Sequence, residues 1–547
     1  MTSNDNGKGD SGARRLTDNY PPAYTDFFPS LIPCIFKTGT VWEVRRGIEA
    51  WPFIREARPV YNPEKAEDWR SVGQVICKVM DTLEIKWTFI NPLAYANDGE
   101  AEPFCPFVIV IGVRPSTVSF ARAVEVATAA EKMLHDAGFA EAEVAVVEGE
   151  TTHSVARGPK LLPFDPLLYH LPELRKPFTS TLGLSIAPLK FPHYGGTGAL
   201  FYRFGGDDKR VALLTCAHVA RPPPEYPNTG TTITNTSQPR EEIISPGSGV
   251  CANALKTLTA DGQYVLDQRR SIEAWDPVLV RLGEPVPNEP AMFTERRAEH
   301  LSLVAGAKKN IEQAKALYTT VQDRADPGKR VIGFVLHCEP IEVSSGLHGF
   351  TKDWALIELY DDMIDWNTFR GNKVYVAAGV TASQYGNTMW PQAADSADYR
   401  YPLNGLLQAN GIVQEDELRN PQHLDVHNRK CLVVVKNGAT SATTFGRVNG
   451  LESFVRYCSP HGINETSIEF AVLRFSNHRR FSEPGDSGSI VLDRTGKIVG
   501  VLTGGGPDED GPDVSYITPY FDIHAQLTAK FPGIHLHPAI NQGFVFG

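Results

Sequence analysis

Three short stretches hold side chains able to activate a nucleophile. Gly485-Asp486-Ser487-Gly488-Ser489 puts a serine in a glycine-flanked turn between two apolar runs, 468–473 and 490–492. Such a turn can expose a hydroxyl while aiming backbone N–H groups at one point, as an oxyanion requires. Ordinary Gly/Ser/Asp turns share the same composition. Leu213-Leu214-Thr215-Cys216-Ala217-His218-Val219 ends an apolar strand on an imidazole, and a lone histidine there is more often structural than catalytic. Cys216, two residues back on that strand, points away from the histidine and reads as core packing. Lys352-Asp353-Trp354-Ala355-Leu356-Ile357-Glu358-Leu359 opens a strand with an acid, and Trp275-Asp276-Pro277-Val278-Leu279-Val280-Arg281-Leu282 has nearly the same outline. Taken singly, either acid reads as a strand-edge surface group.

Taken together, the three stretches fall in the order histidine, aspartate, serine, which among the known triads belongs to the chymotrypsin arrangement. The region 180–530, about two-thirds of the chain, resembles a trypsin-like serine peptidase of the chymotrypsin fold (PA clan). Supporting context comes from Lys497-Ile498-Val499-Gly500-Val501-Leu502-Thr503-Gly504-Gly505, which is similar to the family's substrate-pairing strand. Ser515-Tyr516-Ile517-Thr518-Pro519 resembles its penultimate strand, and 518–531 its closing helix. Val433-Val434-Val435-Lys436-Asn437-Gly438 through Gly446-Arg447-Val448 resembles the hairpin opening the second barrel. In outline the motif order is similar to uncharacterised intracellular fungal trypsin-like proteins.

The resemblance implies a serine endopeptidase acting through an acyl-enzyme. Ser487 is then the nucleophile, His218 the base, Asp353 the group fixing its tautomer, and the N–H groups of Gly485 and Ser487 the oxyanion donors. It implies a specificity pocket with Phe481 at its base and Thr503, Gly504 and Gly505 on its wall, suited to a small or apolar side chain. Glu483 nearby reads as a surface acid. Asp276 lies nearer His218 in sequence, as in an uninterrupted barrel, but Pro277 beside it lacks a ladder donor. Asp353 starts its strand cleanly and follows a helical insert, so it is the expected acid. Departures from the pattern are as informative. No cysteine directly follows His218 or stands next to the serine turn, and no Ile-Val-Gly-Gly activation site precedes the barrel, so Asp486 lacks the freed N-terminus that secreted members supply. A catalytically silent peptidase-like scaffold or binding module, and a serine esterase or acyl transferase, are the alternatives.

The elements that must position these residues have a readable texture. From about 180 onward, short strands and glycine turns indicate antiparallel β-barrels. From Thr294 to about Arg324 an Ala/Glu/Lys/Leu-rich stretch reads as a helical insertion, about 290–328, with an apolar stripe of Leu301, Val304, Ile311, Ala314 and Leu317. Residues 166–547 are therefore read as the peptidase domain. Residues 20–165 form an α+β accessory domain after a polar, disordered 1–19. In that domain Asn62-Pro63 starts a helix carrying Trp69, Val72, Ile76, Val79 and Leu83. Ser116 caps a second one carrying Phe120, Val124, Ala127, Ala130 and Leu134. With strands near 58–61, 85–89, 107–113 and 144–147 the order is β-α-β-β-α-β, the ferredoxin-like arrangement.

The 547 residues suffice for two to four domains, and 42% apolar with 21% charged residues is ordinary for a globular protein. A net charge of −11 speaks against nucleic acid or anionic lipid as partner. No apolar run reaches membrane-spanning length, and the polar N-terminus lacks a secretory core, so a cytoplasmic protein is expected. Eight scattered cysteines without a CxxC pair suggest neither a disulfide framework nor a zinc site, and no cofactor or metal is expected. The expected partner is a protein or peptide substrate, with the accessory domain and the insertion open to a regulator.

Overall fold

The computed structural model describes residues 20, 34–42, 55–149, 161–169, 171–206, 208, 210–234, 238–343, 348–402, 404–458, 464–475, 479–505 and 513–537. The expected disordered segment 1–19 lies outside them. Two compact units result: one comprises 1–152, 449–473 and 506–514, the other the remainder.

The first unit is a sheet with two amphipathic helices. Asn62 accepts from Lys65 N–H and seats Pro63, after which Ala66–Thr82 buries Trp69, Val72, Ile76 and Met80. Its strand order is Phe36–Lys37, Glu143–Glu148, Cys105–Val113, Trp87–Asn97 and the far half of Ala442–Cys458, with Arg55–Arg58 also against Trp87–Asn97. Gly73 is dictated by packing, because a Cβ there would meet the Phe454 ring at 2.2 Å. Two expectations need correction. Ser119, not Ser116, caps the helix Phe120–Asp136, since Ser116 takes φ 59° and gives its N–H to Glu148. From Arg55 to Glu148 the elements run β-α-β-β-α-β, yet Cys105–Val113 and Glu143–Glu148 are direct parallel neighbours. A ferredoxin-like split βαβ would place a strand between them.

The second unit carries a closed β-barrel and a β half-barrel. In the first, Ser185–Pro188 pairs with Glu242–Ile244, then Val331–Cys338, Ala355–Leu359 and Val211–Thr215 follow in order. The segment 196–203 closes the ring. Gly196–Thr197 pairs with Ser185–Pro188, while Ala199 N–H donates to Leu214 O and Leu214 N–H to Leu200 O. Six strands thus form a closed barrel, filled by Leu184, Ile186, Leu213, Val335 and Leu356. The second structure is a half-barrel. Leu432–Gly438 forms a hairpin with 442–448, then pairs with Ile490–Asp493, which pairs with Ile498–Gly505, which pairs with Val514–Pro519. The helix Tyr520–Lys530 packs Tyr520, Ile523 and Leu527 into the same core.

The helical insertion is larger than 290–328. It comprises Ser248–Leu258, Gln263–Leu282 and Ala291–Val321, between two strands of the first barrel. The outline of Asp276 opening a strand is corrected, because 275–282 forms the last turns of Gln263–Leu282 and Asp276 is exposed. Val265, Ile272 and Leu279 recur every seventh position, a helical and not a strand period. Val304, Ile311, Ala314 and Leu317 line the buried seam of the long helix, whereas Leu301 is 53% exposed. Arg330 clasps the two ends of the insertion, donating to Pro246 O and Ala325 O and to Ser248 Oγ. Among the described residues, no helix is long and apolar enough to cross a membrane.

Candidate active site

Strand register brings the histidine and the acid together. Thr215 pairs with Ala355, so Cys216-Ala217-His218 leaves one strand beside the point where Asp353-Trp354 enters its neighbour. One helical turn, Ala217–Ala220, rotates the imidazole toward the carboxylate. Asp353 is 5% exposed and grips His218 twice, its Oδ2 lying 2.6 Å from Nδ1 and its Oδ1 accepting the His218 backbone N–H at 3.0 Å. A carboxylate held on both oxygens by one residue sets the ring's orientation and favours the Nδ1–H tautomer. Asp276 takes no part.

Cys216 is fully buried in the barrel core, as expected, but it does not stand apart from the pair. Its sulfur, a His218 ring nitrogen and an Asp353 oxygen lie within 4.8 Å of one another. The thiol donates to Leu502 O at 3.4 Å. Such a donor set could hold a soft divalent cation only by competing for the imidazole–carboxylate contact.

The serine turn is held from the outside. Gly485 and Gly488 take φ 100° and 89°, a region that favours glycine, and a Cβ at Gly488 would lie 2.0 Å from Thr197 O. Thr197 donates its N–H to Ser487 O and its hydroxyl to Gly485 O. Gly488 N–H donates to Leu502 O, and Asp486 N–H to Glu483 O. Neither Gly485 N–H nor Ser487 N–H donates to any other described group. The turn therefore leaves these two N–H groups free among the described residues. Ser487 is 2% exposed and its hydroxyl lies 3.3 Å from Thr503 O.

Asp486, the residue before the serine, has a partner that sequence reasoning missed. Its carboxylate is fully buried and receives Lys436 Nζ at 2.9 Å, the Ser441 hydroxyl at 2.5 Å, and the backbone N–H groups of Glu483, Thr440 and Ser441. Burial alone would raise its pKa, but Lys436, Ser441 and the N–H donors outweigh that and hold it below the usual carboxylate value. The signal was legible in form: one lysine inside Leu432-Val433-Val434-Val435-Lys436, where a strand's apolar run should not admit a charge. A second lysine, Lys176, is also buried there, donating to Gly183 O at 2.8 Å and to Asn437 Oδ1. Burial pushes its pKa down to about 7, Asp486 acting against that shift and Lys436 adding to it.

Phe481 is fully buried, with Lys436 Nζ 5.6 Å from its ring centroid and its carbonyl accepting the Thr444 hydroxyl. Thr503, Gly504 and Gly505 lie on Ile498–Gly505, where Thr503 donates its hydroxyl to Tyr516 O and the glycines pair with Tyr516 and Ser515. Glu483 is exposed, as expected of a surface acid.

No family model matches the chain, and no curated protein matches it. Among solved structures it is similar to Thermobifida fusca protease A, at 12% identity over 65% of this chain and 97% of that one, TM-score 0.27. A Nocardiopsis protease (NAPase) shares 10% identity over 65% and 97%, TM-score 0.28. The active form of the Rv3671c protease of M. tuberculosis shares 10% over 71% and 96%, TM-score 0.24.

Proposed function

We propose that this protein is a serine endopeptidase that cleaves peptide bonds through His218, Asp353 and Ser487. The observation carrying the reading is the double grip of a buried Asp353 on His218, an arrangement with a clear use in orienting a general base. Ser487 attacks the scissile carbonyl while His218 takes its proton, then returns it to the leaving amine. The acyl-enzyme forms with loss of that amine, and a water activated by the same imidazole releases the acid. Charge developing on the carbonyl oxygen is met by Gly485 N–H and Ser487 N–H, an effect of about 3 kcal/mol per donor.

Asp486 keeps that turn in shape without a freed N-terminus, because Lys436 supplies the cation from within the half-barrel. Phe481, Thr503, Gly504 and Gly505 are the proposed substrate pocket, favouring a small or apolar residue before the cut. A fluorophosphonate probe tests the reading directly. It should label Ser487, as mapped by peptide mass spectrometry, and Ser487→Ala and His218→Ala should each abolish labelling with little change in Tm. Labelling that persists in Ser487→Ala overturns it.

A further inference from the structure

A cavity of about 600 Å³ opens in the second unit, and none of His218, Asp353 or Ser487 lines it. That size is typical of small-ligand sites. Its walls come from the segment before the first barrel, the first helix of the insertion, residues 378–379, and the loop 438–442. Val250, Ala254 and Ala378 supply an apolar face, and Lys176, Thr440 and Arg479 the polar groups.

Lys176 decides what could bind. It is 8% exposed and is the buried charge of the lining, whereas Glu173 and Arg479 sit exposed at the rim with opposite signs. An ammonium has three donors. Two reach Gly183 O and Asn437 Oδ1, and among the described residues the third has no acceptor and the ammonium no carboxylate within ion-pair reach. The nearby Asp486 is already filled by Lys436, Ser441 and three N–H groups. A buried ammonium lacking its own counter-ion favours an anion from outside. Burial also holds its pKa near 7, so an arriving anion would draw a proton onto it.

The wall leads to the nucleophile. Thr440 gives its N–H to Asp486 and its hydroxyl to Pro484 O, and Arg479 donates to Ser441 O. We propose that this cavity binds a carboxylate on a compact apolar body, with the carboxylate on Lys176 and the body against Val250, Ala254 and Ala378, and that occupancy steadies the turn bearing Ser487. The binding half stands independently of the peptidase reading, and the coupling half rests on it.

Calorimetry and thermal melts of the full chain with octanoate and with a leucine-ending tetrapeptide bearing a free carboxylate separate a free acid from a chain terminus as source. Octanamide and the amidated peptide are the controls. At least one carboxylate should bind and raise Tm while its amide does not. Binding at pH 8 should take up a proton, read from two buffers of different ionisation enthalpy. Lys176 is the group titrating, with Lys436, Asp486, Arg479 and Glu173 as the charges around it.

Lys176→Met should weaken binding at least tenfold. If that variant does not fold, Asn253→Trp, which fills the cavity from the insertion helix, should abolish it. Absence of binding by either carboxylate at 10 mM, equal binding of acids and amides, or binding that survives Asn253→Trp overturns the site. With the site occupied, fluorophosphonate labelling of Ser487 should accelerate severalfold, and an unchanged rate overturns the coupling. Absence of labelling under all conditions removes the peptidase reading, while calorimetry still decides the site.

Discussion

Two buried aspartates flank the proposed active site, and their surroundings give them opposite work. Asp353, at the entrance of Ala355–Leu359, spends both oxygens on one residue, His218. Asp486, in the serine turn, takes five donors from Lys436, Ser441, Thr440 and Glu483. Under the proposed function, the first holds a side chain that passes a proton between nucleophile and leaving group. The second holds backbone, and its cation is meant never to move. A carboxylate beside an imidazole tunes chemistry, whereas one locked to an ammonium and three amides fixes shape.

The largest expected effect separates the two jobs. Asp353→Asn should lower turnover of a peptide substrate by about 10⁴ through the wrong histidine tautomer, with little change in Tm. If Asp353→Asn instead unfolds the protein and leaves specific activity intact, the two carboxylates do not divide as described.

Stability should fall on the other side. Lys436→Met leaves Asp486 buried without its cation, and breaking such a pair costs about 3–5 kcal/mol, readable by urea denaturation. Asp486→Asn combined with Lys436→Met should recover part of that loss, giving a coupling energy in the cycle. Simple additivity would show that the pair does not act as a unit.

A smaller effect is carried by pH. Lys176 falls from its ordinary 10.5 to about 7 in the folded protein, so between those values the unfolded chain binds the extra proton. Stability should therefore rise with pH from about 7 to 10.5, its penalty being complete below 7. Lys176→Met should flatten that rise in denaturation curves at pH 6.5 and 9. Asp486 works at the acid end: its lowered pKa gives stability present above the ordinary 3.8 and lost as pH falls further. The least effect belongs to Asp276→Asn, which alters an exposed helix position and should stay within about 0.5 kcal/mol with turnover unchanged.

How much of this was legible differs from place to place. Short continuous apolar runs such as Leu213-Leu214-Thr215 and Ala355-Leu356-Ile357, and the paired glycines around Ser487, announce strands and a tight turn through local sterics. Asn62 and Pro63 announce a helix start the same way. Ser116 misled because a serine can cap or simply turn, and only the Glu148 carboxylate across the sheet decides between them. Trp275-Asp276-Pro277 misled because a short apolar run fits either period until packing against the helix Ala291–Val321 partly covers Trp275, Val278 and Leu279.

By itself the sequence determined which residues could react and in what order along the chain, since side-chain chemistry and the allowed turn at Gly485 and Gly488 are local properties. Tertiary structure decided the remainder. The barrel register of Thr215 against Ala355 selects Asp353 over Asp276. The return of Leu432–Gly438 beside the serine turn gives Asp486 its lysine. Both are contacts between residues far apart in sequence. A buried charge is stabilised where the fold delivers its partner, as Lys436 does for Asp486, and a linear pattern does not reveal which partner arrives.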